Sequence, residues 1–193
     1  IPRDQLVVFT GLSGSGKSIA IKLLEDSAFY CVDNLPAELL PTLMENLHQS
    51  GYRQIAVAVD VRSGSSVREL PQLIERFRVQ GIDVRLLFLD ANNDELVKRF
   101  SETRRLHPLS DGVRTLPECV SQERELLAGI SDIGHHIDTT ELNANALRAC
   151  IKQFIKVDRA RLTLLFQSFG YKHGIPLDAA NIRASSWVYA IPT

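Results

Sequence analysis

The chain is poor in cysteine: it has three, Cys31, Cys119 and Cys150, an odd number with no CxxC pair. Neither a disulfide framework nor a zinc site is expected, and buried or inert thiols in a reducing cytoplasm are. No apolar run approaches the ~18 residues that would cross a membrane. Charge of neither sign is in excess: 22 Lys and Arg against 23 Asp and Glu give a net charge of −1. A globally basic nucleic-acid binder is therefore excluded, although a local basic patch is not. The first residue is Ile1 and not Met, which reads as a processed or trimmed start. Residues 1–5 lead straight into a strand and lack the build of a signal peptide. A cytoplasmic location with no membrane partner is the expectation. No internal repeat and no low-complexity tract is present. What remains is 193 residues with 45% hydrophobic content, enough for one domain core and a small appendage.

Strand and helix signals alternate along that chain. Apolar runs at residues 6–10, 29–32, 55–59 and 84–89 read as strands, with a short last one at 136–137. Residues 17–27, 37–49, 67–80, 94–103, 116–128 and 143–155 read as helices. Ile19, Ala20, Leu23 and Leu24 share one face of the first. Pro36 suits the first turn of the second, and Gly51 and Gly81 punctuate the ends of the second and third. Buried strands bounded by helices predict an α/β fold: a parallel sheet with helices on both faces, three layers in all. From about Asp158 the pattern changes, with a strand-like stretch at 162–166 and a turn-rich loop at 170–176. The expected organisation is a nucleotide-binding domain over 1–157 and the beginning of an incomplete second domain over 158–193.

The strongest motif is Gly11-Leu12-Ser13-Gly14-Ser15-Gly16-Lys17-Ser18, which satisfies GxxxxGK[ST]. It follows a strand and opens a helix, the context that a phosphate-binding loop requires. Glycines let successive N–H groups turn inward into an anion nest, and the helix adds its positive end. Lys17 is expected to reach the β- and γ-phosphates and Ser18 to ligate Mg2+. Ligands of such sheets sit at the carboxyl ends of the strands, which places Asp33, Asp60 and Asp90 on the same rim. Asp60 and Asp90 are both candidates to hold the metal through water, with strand-end capping as the alternative for each. Asp33, ahead of Asn34-Leu35-Pro36, is either a base or substrate ligand or an Asx-type turn.

Lys98, Arg99, Arg104 and Arg105 crowd into eight residues. Guanidinium forks suit phosphate oxygens, so the segment reads as a lid over the transferring phosphoryl group. The competing reading is a solvated helix face paired with Glu95 and Glu102. His107 has no evident partner, and His135-His136 has no metal spacing.

Several stretches carry a family resemblance. They are residues 11–18 with Ala20 and Leu23-Leu24-Glu25-Asp26, Phe29-Tyr30-Cys31-Val32-Asp33-Asn34-Leu35-Pro36, and Asp60-Val61-Arg62. Leu87-Phe88-Leu89-Asp90-Ala91, Thr103-Arg104-Arg105-Leu106-His107-Pro108-Leu109 and Ser168-Phe169-Gly170-Tyr171-Lys172-His173-Gly174-Ile175-Pro176 follow in order. The chain resembles the RapZ/YvcJ family of bacterial nucleotide-binding proteins over most of residues 6–178. The resemblance implies a kinase-like P-loop NTPase fold, ATP and GTP binding and slow hydrolysis of both. It maps an ATP site onto residues 11–18 and a GTP motif onto Asp60-Val61-Arg62-Ser63; both can belong to one cleft. It further implies a regulatory, RNase-adapter-like role with small regulatory RNA and an RNase as partners; a homo-oligomer stays open, because the sequence does not give the oligomeric state. The family continues for about another hundred residues, its RNA contacts belong to that C-terminal part, and residues 179–193 depart from its pattern. RNA binding is therefore not carried onto this chain.

The expected roles are phosphate charge for Lys17, metal ligation for Ser18 and Asp60, and phosphoryl stabilisation for Arg99, Arg104 or Arg105. No NKxD-type motif reads the base, so ATP and GTP both stand. A regulatory NTPase is the leading function. A small-molecule kinase acting from ATP and a binding module that barely hydrolyses are its alternatives.

Overall fold

The computed structural model describes residues 4–59 and 68–156. Those up to Ile155 belong to one compact unit, and Asp60, Val61, Arg62, Ser63 and the second domain expected over 158–193 lie outside the described residues. Among the described residues, five strands and six α-helices follow in order, alternating except that two consecutive helices come after the fourth strand: β1 Gln5–Gly11, α1 Lys17–Glu25, β2 Tyr30–Val32, α2 Leu40–Gln49, β3 Gln54–Ala58, α3 Leu70–Val79. There follow β4 Asp83–Asp90, α4 Asn93–Thr103, α5 Leu116–Ser131, β5 His135–Asp138 and α6 Ala144–Lys156. All strand pairs are parallel, in the order β2-β3-β1-β4-β5.

The pleat explains the three layers. Side chains of successive strand residues point to opposite faces. Leu6 and Val8 of β1 join the core formed with α2, α3 and α5, while Val7 and Phe9 join the one formed with α1 and α6. Every residue from Leu6 to Phe9 is fully buried, as a central parallel strand covered on both sides must be. A 3-10 turn at Ala37–Leu39 precedes α2, and α3 starts at Leu70 because Pro71 occupies its first turn.

One strand charge breaks the apolar run. Arg85 in β4 is nearly buried, and its guanidinium donates to Asp83 Oδ2 at 3.1 Å and to the carbonyls of Phe154 and Ile155 at 2.9 and 2.6 Å. Those carbonyls belong to the last turn of α6, whose C-terminal acceptors lack partners within the helix. Arg85 thus satisfies them and fastens α6 to the sheet. Among the thiols, burial first and then Glu25 push Cys31 up to about 11, so it stays protonated and unreactive. No described helix is long and apolar enough to cross a membrane.

Candidate functional site: the phosphate loop and its supports

The loop between β1 and α1 begins with a backbone contact. Gly11 has φ +131°, and a Cβ there would stand 2.0 Å from the Leu89 carbonyl oxygen of β4. Only glycine allows β1 and β4 to run together at the point where the chain leaves the sheet. Leu12 N–H donates to that same Leu89 oxygen at 3.1 Å, and Ser15 N–H closes a turn onto Leu12 O at 3.1 Å. Gly16, at φ +109°, is the N-cap of α1. Among the described residues, the amides of Gly14, Gly16 and Ser18 have no acceptor. They are the donors an anion nest needs. Ser15 Oγ is buried in the middle of the loop without a hydrogen-bond partner among the described residues.

Lys17 lies across this nest. Its Nζ donates to Gly11 O at 2.6 Å and Leu12 O at 3.0 Å. The ammonium is therefore held at the loop. Ser18 is exposed on the first turn of α1, so its hydroxyl is accessible from solvent.

The loop is clamped from below by a residue that sequence reasoning missed. Glu123 of α5 is fully buried. Its Oε2 accepts from Ser13 N at 3.0 Å and its Oε1 from Ser13 Oγ at 2.7 Å. Oε2 also meets His107 Nε2 at 3.0 Å. His107 Nδ1 accepts from Leu109 N–H at 3.1 Å, and a backbone amide can only donate. The ring proton therefore sits on Nε2 and points to Glu123, and the imidazole is neutral. His107, whose partner was not evident in the sequence, is a buried support of the loop.

Burial raises the Glu123 carboxyl, but His107, the Lys17 ammonium and the two Ser13 bonds together outweigh it and hold the group below its ordinary 4.5. A depressed folded value adds stability that is complete above the unfolded value and disappears as pH falls through the folded one. Unfolding midpoints measured against pH should therefore show a loss on the acid side of 4.5 that Glu123→Gln does not share. An identical acid limb in parent and variant would remove Glu123 from the linkage.

Arg99 of α4 makes the lateral tie. Its Nη1 donates to Gly14 O and to Thr139 Oγ1, both at 3.1 Å, and its Nη2 to Thr139 O at 2.7 Å. Glu95 accepts from its Nε at 3.0 Å. Thr139 Oγ1 donates onward to Ser15 O at 2.9 Å. The loop is thus joined to the β5–α6 connection, which follows the last strand at the same rim.

The other expected residues are placed as follows. Both Asp90 oxygens accept from Arg124 Nη1, at 2.9 and 2.8 Å, and Ala91 N–H donates to Asp90 Oδ1 at 2.7 Å. His136 Nε2 stands 3.2 Å from Asp90 Oδ2. This carboxylate organises the start of α4. Asp33 is exposed and accepts from Asn34 N–H at 2.9 Å. Lys98 pairs with Glu95 at 3.7 Å on the helix surface. Arg104 and Arg105 line a groove that includes none of residues 11–18.

The model of the RapZ-like N-terminal domain matches residues 4–159. The chain belongs to that family. It is 57% identical over 175 residues to a nucleotide-binding protein of Thiobacillus denitrificans, covering 91% of this chain and 63% of that protein. The identity to a nucleotide-binding protein of Chromobacterium violaceum is 55%, over 91% of this chain and 62% of the relative. This RapZ-like chain therefore spans just over three fifths of the length of these curated relatives. Among solved structures, it is similar to a shikimate kinase from Bacteroides thetaiotaomicron, with a TM-score of 0.54 and 13% identity, over 79% of this chain and 98% of that one. It is also similar to the tunicamycin resistance protein of Deinococcus radiodurans, with a TM-score of 0.55 and 17% identity, over 81% and 98%. At these identities the likeness is one of fold, and the fold is that of the P-loop kinases.

Proposed function

We propose that this RapZ-like domain binds ATP or GTP with Mg2+ at residues 11–18 and hydrolyses it slowly, as the nucleotide-responsive part of a longer regulatory protein. The observation that carries the reading is the loop itself. It offers unpartnered amides at Gly14, Gly16 and Ser18, the Lys17 ammonium across them, and the orphaned Ser15 hydroxyl. Lys17 would turn from the carbonyls of Gly11 and Leu12 to the phosphate oxygens, which are better acceptors because they are charged. Ser18 would hold the metal directly and Asp60 through water, while Mg2+ neutralises charge on the terminal phosphates. The names of the curated relatives support nucleotide binding. The adapter role, with small regulatory RNA and an RNase as partners, belongs to the longer protein and follows from the family resemblance.

Nucleotide titration of this chain, with and without Mg2+, tests the reading; no binding of either triphosphate would end it. The metal assignment has its own test. Asp60→Ala should raise the Mg2+ concentration needed for half-maximal nucleotide binding or turnover more than Asp90→Ala does. Asp90 is already engaged by Arg124, so its loss should appear chiefly as reduced stability. The reverse ranking would move the metal to Asp90. A hydroxyl-bearing metabolite that sharply accelerates ATP consumption would instead favour phosphoryl transfer to a small molecule.

A further inference from the structure

Beside the phosphate loop, behind Phe100, lies a groove of about 310 Å³ between the end of α4 and the start of α5. Its lining includes Phe100, Arg104, Arg105, His107, Arg114 and Cys119. The volume falls at the lower end of the range for small-molecule sites. Phe100 forms the wall toward the loop: a Cβ on Gly14 would stand 3.3 Å from its Cε2. The groove is thus a compartment apart from the nest of amides.

Its charge is one-sided. No Asp or Glu is among the lining residues. Arg104 and Arg105 are exposed and have no ion-pair or hydrogen-bond partner among the described residues. Arg104 stands at the C-cap of α4 with φ +50°. Arg114 reaches Gln122 Oε1 at 2.5 Å and Asp111 at 3.6 Å. The Asp111 carboxylate is turned into its own loop, accepting from the amides of Val113 and Arg114 at 3.0 and 2.9 Å. Arg114 is thus engaged by Gln122 and Asp111 with Glu118 within its field, while the guanidinium groups of Arg104 and Arg105 have no partner among the described residues. The rest of the wall is compact and partly apolar, with Phe100, Leu116 and Cys119.

We propose that this groove is a second ligand site, for a compact molecule bearing a phosphate monoester, and that its occupancy is felt at the phosphate loop. Two guanidinium forks without partners suit the paired oxygens of a terminal phosphate. The small volume selects a metabolite-sized body over a nucleotide. The link to the loop is His107, which lines the groove with its ring centroid 5.1 Å from that of Phe100. The same imidazole donates to Glu123, and Glu123 holds Ser13 of the loop. A ligand that shifts the 104–107 turn thus moves a support of the nucleotide site. The coupling half of this proposal rests on the triphosphate reading of residues 11–18; the binding half does not.

The probes are glycerol 3-phosphate and inorganic phosphate, with a short polyuridylate as the RNA arm, titrated calorimetrically into the full chain. The Lys17→Ala variant silences the phosphate loop. In that variant glycerol 3-phosphate should still bind with one-to-one stoichiometry, and Arg104→Gln/Arg105→Gln should weaken it about tenfold or more. In the parent chain, saturating ester should change ATP affinity by about fivefold or more, with the reciprocal change in ester affinity. Glu123→Gln, which lies outside the groove, should keep ester binding and lose that coupling. Ester binding that vanishes with Lys17→Ala would overturn the proposal, because the phosphate loop would then be the site. So would an arginine pair that affects ATP alone, which would make these residues a lid for the triphosphate. Binding of polyuridylate without the ester would make the patch an RNA contact and overturn it too. Ester binding with unchanged ATP affinity would overturn the coupling.

Discussion

Lys17→Ala should bind ATP and GTP at least about a hundredfold more weakly than the parent chain, because an enclosed phosphate would lose its charge partner. The loop would keep its unpartnered amides at Gly14, Gly16 and Ser18, and the α1 N-terminus would keep its positive end. What disappears is the mobile ammonium, now 2.6 and 3.0 Å from the carbonyls of Gly11 and Leu12. Lys17 is only partly buried, so water can take over those acceptors and the fold should lose only about 1 kcal/mol. Calorimetric titration gives the affinity and a thermal melt gives the stability. Unchanged ATP binding by a folded Lys17→Ala protein would remove the phosphate-loop assignment.

Glu123→Ala should damage both fold and site. It strands three donors under the loop: Ser13 N–H, Ser13 Oγ–H and His107 Nε2–H. Each buried donor left without an acceptor costs about 1–3 kcal/mol. Together with the cavity, a loss of about 3–5 kcal/mol is expected, lowering the melting temperature by roughly 10 °C. Glu123→Gln keeps the volume and one carbonyl acceptor, but its NH2 faces other donors, so it should fall between parent and alanine variant. Nucleotide affinity should drop in the same order, because Ser13 is no longer held. An alanine variant as stable as the parent would show that the clamp contributes nothing.

The phosphate loop was legible because its chemistry is local. Eight consecutive residues carry the glycines, the lysine and the serine, and the strand and helix expected on either side of them are present. The five strands were legible for a related reason: central parallel strands such as residues 6–9 and 84–89 are nearly unbroken apolar runs. Glu123 was not, because its partner Ser13 lies 110 residues away in sequence. It stands in a charged stretch that reads as a solvated helix face. A signal was present nonetheless. The buried positions of α5 are Cys119, Val120, Glu123, Leu127 and Ile130, and Glu123 falls on that apolar stripe at helical spacing. An acid on the inner face of a helix demands a buried partner. Arg85 carries the same signal in a strand, as the one charge within the apolar run of β4. The arginine-rich segment was legible as a charge cluster and not as its division of labour. Arg99 grips the loop and Thr139, Lys98 pairs with Glu95, and Arg104 and Arg105 turn to a separate groove. Those fates depend on where α4 ends and which way the chain turns at Arg104.

The supports of the loop also set when it can exist. Residues 11–15 are made early, yet they are held by Leu89, Arg99, Glu123 and Thr139. On a ribosome adding about 5–20 residues per second, the glycines wait roughly 6–25 seconds for the last of those contacts. Until then only the Ser15–Leu12 turn and the Lys17 contacts act locally on their inward curl, and closing such long chain segments is the slow part of building a parallel sheet. A nascent chain carries the motif long before it carries the cradle. The amides of the loop are therefore presented together only once the distant supports have arrived.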